Sequence, residues 1–325
     1  MAFKFLPALV GAVCALALPA PALAQSAYPS QPIKLVVGSE AGSAPDVLAR
    51  TIGKEMEPLV KQTILVENRA GAAGTVGAAA VAQAPADGYT LLMGTVSNIA
   101  LAPSFYPIKY KPGGSFTPIG MVASVPLVLV ASTNLGAADM AQLRAKLKAS
   151  KTEYAYSSPG IGGPQHLAGV LLERELSTKL LHVPYKSGGA ALTAVAGGET
   201  QLAFAGIPAA GPLLQSKRIV PMFVTASRRS PALPDVPSAA EVGLPSFEVD
   251  NWHALFAPAG LPPDIRATLE RALRTALQSS AVKTQFEKLG AEPRAGTGTE
   301  LAAYVAAETQ RWAALAKASG AGQGK

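Results

Sequence analysis

Short apolar runs alternate along this chain with segments of helical period, and that alternation restricts the fold more than any other feature. Residues 33–38, 63–68, 90–95, 125–132, 153–158, 180–185, 200–206, 219–225 and 253–258 read as strands. Helical patterns fall between most of them. Val47, Leu48, Ile52, Met56 and Leu59 make one apolar stripe. Ile265, Leu269, Leu273 and Leu277 make another at a spacing of four. A last helix opens with Thr297 and Glu300 at capping-box spacing and buries Leu301, Val305, Trp312 and Leu315. Strands interleaved with helices predict parallel sheets covered by helices. The Pro-rich stretches 107–118 and 231–245 read as surface connections, the second carrying the chain back between domains.

Sheets of this kind take ligands at the carboxyl ends of their strands, where helix N-termini aim N–H groups outward. The loops at 38–46, 68–77, 94–98 and 157–166 are rich in Gly, Ser and Thr. The loop at 185–190 adds Lys186, Ser187, Gly188 and Gly189. Small residues there let a ligand approach the backbone.

The N-terminus predicts export. Lys4 precedes an apolar stretch at 5–18, and Ala22-Leu23-Ala24 is a small-residue cleavage site, so residues 1–24 read as a signal peptide. The stretch is shorter than the ~20 residues of a spanning helix. Val13 before Cys14 is too bulky for a lipoprotein site. Cys14 is the only cysteine, so the mature chain is expected to have neither a disulfide nor a thiolate metal site. The formal net charge of +7 comes with only 15% charged residues, no Lys/Arg run and no interleaved aromatics. A nucleic-acid partner is therefore not expected.

Enzyme signatures are missing: no H-E-x-x-H, no G-x-S-x-G, no Walker A lysine. His166, His182 and His253 stand outside metal-ligand spacing and read as structural or loop residues. No metal and no cofactor are expected. Gly71-x-x-Gly74-x-x-Gly77 has the wrong first spacing for a dinucleotide fingerprint and reads as a tight turn feeding a closely packed helix.

In order along the chain stand Tyr28-Pro29-x-x-Pro32-Ile33-x-Leu35-Val36-Val37, Val66-Glu67-Asn68-Arg69-x-Gly71-Ala72-x-Gly74 and Ala86-Asp87-Gly88-Tyr89-Thr90-Leu91-Leu92. Ser157-x-x-Gly160-x-Gly162, His166-Leu167-Ala168-Gly169 and His182-Val183-Pro184-Tyr185-Lys186 follow. Pro231-Ala232-Leu233-Pro234-Asp235-Val236-Pro237 and Trp252-x-x-Leu255-Phe256-Ala257-Pro258-Ala259-Gly260 complete the set. Together they resemble the periplasmic solute receptors of the tripartite tricarboxylate transporter family.

That resemblance implies a bilobal, type II periplasmic-binding-protein fold: two α/β domains around a ligand cleft, joined by two crossover strands. It implies a first domain of residues 25–125 and 226–325 and a second of 126–225, with crossings near 125–132 and 219–230. It implies capture of a small carboxylate (organic acid, amino acid or carboxylated aromatic) for uptake or sensing, by a monomer that meets a membrane permease. A non-transport α/β enzyme acting on a small carboxylate is the competing class. Carried over residue by residue, the ligand-binding set is Gly38, Ser39, Glu40, Gly42, Ser43 and Asp46 in the first loop, then Thr95, Ser97 and Asn98. The second domain contributes Ser157, Ser158, Gly160, Gly162, Gln165 and His166, then Tyr185, Lys186 and Ala190.

Two departures from the family pattern bear on the ligand. Glu40 puts an acid inside a loop expected to hold an anion, and Ala205-Gly206-Ile207 stands where an Asp or Asn often faces the cleft. A cleft-facing Glu40 disfavours a plain dicarboxylate and suits a ligand bearing an ammonium or a ring N–H. The competing reading leaves Glu40 in solvent or paired with Lys or Arg on the rim.

Overall fold

The computed structural model describes residues 28–318 and Gly320. The leader read at 1–24 lies outside those residues. Among the described residues no helix is long and apolar enough to cross a membrane.

The first sheet is built around β1 (Ile33–Val37), flanked in parallel by β2 (Ile64–Asn68) and β3 (Thr90–Thr95). Ile33, Leu35 and Val37 pack with Leu48, Ile52 and Met56 of α1 (Ala44–Val60), while Val36 faces the opposite core. That is the alternation of a strand covered on both faces. β10 (His253–Pro258) runs antiparallel between β3 and β4 (Phe116–Ser124), and β11 (Glu292–Pro293) closes the edge. The stripe at 265–277 forms α8 (Pro263–Ala276), with Leu269 and Leu273 buried on this sheet. In the capping box before α10 (Gly298–Ala318), Thr297 N donates to Glu300 Oε2 at 2.7 Å and Glu300 N to Thr297 Oγ1 at 3.2 Å.

The second sheet has the order β7 (Leu180–Pro184), β6 (Tyr154–Ser158), β8 (Leu202–Gly206), β5 (Leu127–Ser132) and β9 (Ile219–Val224). β6 pairs in parallel with β7 and β8. β5 runs antiparallel to β8 and to β9. Helices α5 (Pro164–Leu176), α6 (Gly188–Gly197) and α7 (Ile207–Gln215) follow β6, β7 and β8, so their N-termini gather at one end of the sheet.

Two features differ from the sequence reading. The stretch 107–118 runs into β4, a nine-residue strand. Pro118 conceals it: proline has no N–H for a ladder, and here it sits beside a register shift in the pairing with β10. β5 and β9 are paired within the second sheet, so the outward crossing falls at the start of 125–132 and the return lies beyond 219–224. The outward step is the short span from Ser124 to Leu127. The chain after β9 stays with the second sheet, with Val249 N on Thr225 O at 3.1 Å and Phe247 stacked 5.6 Å from Phe204. It meets the outgoing strand at Asp250, where Pro126 and Asp250 form an antiparallel bridge.

Candidate ligand-binding site

The carboxyl ends of β1, β2 and β3 and the start of β10 surround a cavity of about 400 Å³. Its walls are Gly38, Ser39, Glu40 and Pro45 from the first loop, Ala70–Gly74 from the second, Thr95, Ser97 and Asn98 from the third, and Asn251 and His253. No lysine or arginine is among them. Oriented N–H dipoles and hydroxyls can hold an anion in such a cage without a cationic side chain.

Close backbone contact locks the loops together. A Cβ on Gly38 would lie 2.7 Å from Gly74 Cα, so any side chain there forces the first two loops apart. The turn Ala72–Gly74 between β2 and α2 (Thr75–Ala82) holds Ala72 at φ 46 and Ala73 at φ 56. Non-glycine residues pay roughly 1–2 kcal/mol each for that conformation. α2 is closely packed as expected, since a Cβ on Gly77 would meet Arg69 O at 3.1 Å.

Several residues of the set organise the loops. Asp46 is buried and accepts from Gly42 N and Asn68 Nδ2 at 2.8 Å each, and from Arg50 Nε at 3.0 Å. Burial pushes its carboxyl up, but these hydrogen bonds and the Arg50 charge outweigh it and hold the carboxyl below its ordinary range. Ser43 Oγ donates to Glu40 O and meets Ser39 Oγ at 2.7 Å. Asn98 accepts from Thr95 N at 2.8 Å, and Thr95 Oγ1 accepts from Asn98 N at 3.3 Å. Glu40 is exposed on the cavity rim and forms no ion pair among the described residues.

The second-lobe residues do not line this cavity. Ser157 is fully buried, its hydroxyl donating to Ala191 O at 2.9 Å and accepting from Thr200 Oγ1 at 3.1 Å. Ser158 Oγ accepts from Gly160 N at 3.1 Å and lies 2.7 Å from His182 Nε2. Gly162 N donates to His166 Nδ1 at 3.2 Å, and the His166 and His182 rings lie 4.2 Å apart. Burial first, then the neighbouring His182, lowers His166 to about 4, so it is neutral in the working range. Gln165 is half-buried. Tyr185 donates to Glu199 at 3.2 Å, Lys186 is exposed, and Ala190 N is taken by the cap Ser187 Oγ at 3.2 Å.

Pro45, Ala70–Gly74, Asn251 and His253 border the cavity outside the predicted set. The small-residue composition of 68–77 marked Ala70–Gly74 as part of a loop worth searching. Asn251 and His253 give no local signal, since one precedes and the other opens an apolar strand.

Two α/β lobes, the first carrying a cation-free hollow at its strand ends, have the architecture of a solute-binding protein. The chain belongs to the tripartite tricarboxylate transporter receptor family, whose model matches residues 48–321. It is 35% identical over 316 residues to protein BugT of Bordetella pertussis, covering 97% of each chain. Among solved structures it is similar to Rpa4515 of R. palustris with adipate (31% identity, 90% of this chain, 98% of that one, TM-score 0.75). It is also similar to MatC from Rhodopseudomonas palustris with bound malate (32% identity, 89% and 100% coverage, TM-score 0.73). Receptors of this family are periplasmic binding proteins, and the chain is a binding protein and not an enzyme.

Proposed function

We propose that this protein captures a small carboxylate-bearing metabolite in the cleft between its lobes, as a periplasmic monomer that delivers it to a membrane permease of the tripartite tricarboxylate transporter type or to a sensor. The lobes divide where the chain crosses, at 125/126 and 249/250. The observation that carries the reading is the cavity itself, walled by loop backbone and the hydroxyls of Ser39, Thr95 and Ser97, with no cation lining it. The solved relatives that hold adipate and malate support the same ligand class. Glu40, unpaired on the rim, favours a carboxylate that also carries an ammonium or a ring N–H.

A thermal-shift screen of aliphatic, amino and aromatic carboxylates on ligand-stripped protein tests this. A ligand at 100 times its Kd stabilises the fold by about 2.7 kcal/mol, or roughly 5 °C for a chain of this size. Silence across the panel refutes the carboxylate reading.

A further inference from the structure

His253 is 1% exposed and borders the cavity, yet neither ring nitrogen has a hydrogen-bond partner. A neutral imidazole carries one donor and one acceptor, and folds rarely leave such groups buried and unmade. Its neighbours are satisfied: Asn98 is bonded to Thr95, and Asp250 to Ser124 and Val125. His253 faces Thr95 across the β10–β3 ladder, so both side chains leave the sheet on one face. Thr95 borders the same cavity.

His253 is also the only base among the cavity-lining residues, and Glu40 the only acid. A carboxylate entering this space meets no counter-charge unless the imidazole supplies one. We propose that His253 is a ligand-contacting residue, and that a carboxylate binds together with one proton, taken from solvent by the His253 ring. The inference rests on the reading of the cleft as a carboxylate site.

With the cleft empty the ring is neutral, because burial lowers it to about 4 against a smaller opposing polar contact with the Asn251 backbone, which falls short of hydrogen-bond geometry. Other charged groups nearby are accounted for. Asp46 is locked to Arg50 and Asn68, and Asp250 is held by Ser124 and Val125 with Arg294 at 3.6 Å. Glu40 stays on the rim. An anion brought within about 4 Å in this buried setting strongly favours the charged ring. The complex then holds one more proton than the empty protein. Affinity rises as pH falls below the bound-state pKa, by up to tenfold per pH unit.

The chain has three histidines, so imidazole NMR resolves the question directly. His253→Asn assigns the His253 signals, and the measurement itself uses the wild-type protein. At pH 6.5 malate, adipate, L-glutamate, benzoate and imidazole-4-carboxylate are added in turn, and thermal shift scores binding of each independently. Every probe that raises the melting temperature is expected to move His253 to its protonated shift, with His166 and His182 unmoved. Probes that raise the melting temperature while His253 stays neutral overturn the proposal and leave carboxylate capture standing. If no probe raises the melting temperature, carboxylate capture fails and this proposal falls with it.

Discussion

The ring of Phe105, at the end of the short helix Ala102–Phe105 in the first lobe, lies against Gly162 of the second: a Cβ on Gly162 would sit 3.0 Å from Phe105 Cγ. Gly162 also has φ +81, a conformation that side chains resist. Gly162→Ala is therefore expected to cost about 1–2 kcal/mol in urea unfolding. Phe105→Ala in the same protein should recover the part due to the ring and leave the part due to backbone strain. Additive single effects in the double-mutant cycle would show that the ring is no obstacle.

Ser157 and Ser158 are adjacent and do different work. Ser157→Ala removes a buried hydroxyl from Ala191 O and Thr200 Oγ1. A loss of about 1–3 kcal/mol of stability follows, with unchanged affinity in the folded protein. Ser158→Ala frees the 158–160 turn and removes the oxygen facing His182 Nε2. Calorimetric titration of both variants checks the split: weakened binding in Ser157→Ala would place its hydroxyl in the cleft after all.

Asp250 and His253 respond to acid in opposite senses. Burial raises Asp250 from 3.8 to about 6, against the opposing bonds from Ser124 and Val125. The folded state thus binds the extra proton, so this contribution to stability is full below 3.8 and is lost as pH rises through about 6. Burial lowers His253 from 6.5 to about 4, so its contribution is present above 6.5 and is lost as pH falls through about 4. Each is on the order of 3 kcal/mol, and in wild type they offset between pH 4 and 6.5. Denaturant titrations across that window should slope in opposite directions for Asp250→Asn and His253→Asn. Parallel slopes would contradict the assignment.

Much of this was legible in the sequence. The apolar runs and stripes set by β1, α1 and α8 gave the layers, and Thr297 with Glu300 marked the last helix, because each signal is local. β4 was hidden by Pro118, whose missing N–H is tolerated only because the β10 pairing shifts register beside it. The first-lobe loops that wall the cavity could be read from loop composition. His253 could not, since its place on the cavity depends on β10 returning between β3 and β4 from far along the chain. Ser157 was assigned from a motif, and strand alternation turned its hydroxyl into the core.

We propose that Glu40 selects among the carboxylates offered to the cavity. Its position on the rim, without an ion-pair partner among the described residues, predicts that it repels a second carboxylate and attracts an amine. For L-glutamate against glutarate, Glu40→Gln is expected to shift the preference toward glutarate by about tenfold, near 1.4 kcal/mol. An unchanged ratio would remove Glu40 from selection.

Carboxylate capture is tested most directly by calorimetric titration of ligand-stripped protein with each carboxylate that passes the thermal screen, beside its neutral primary amide. The expected result is saturable binding of the acid at one site per chain, with the amide at least tenfold weaker. Equal binding of acid and amide, or no saturable heat for any acid, would contradict it.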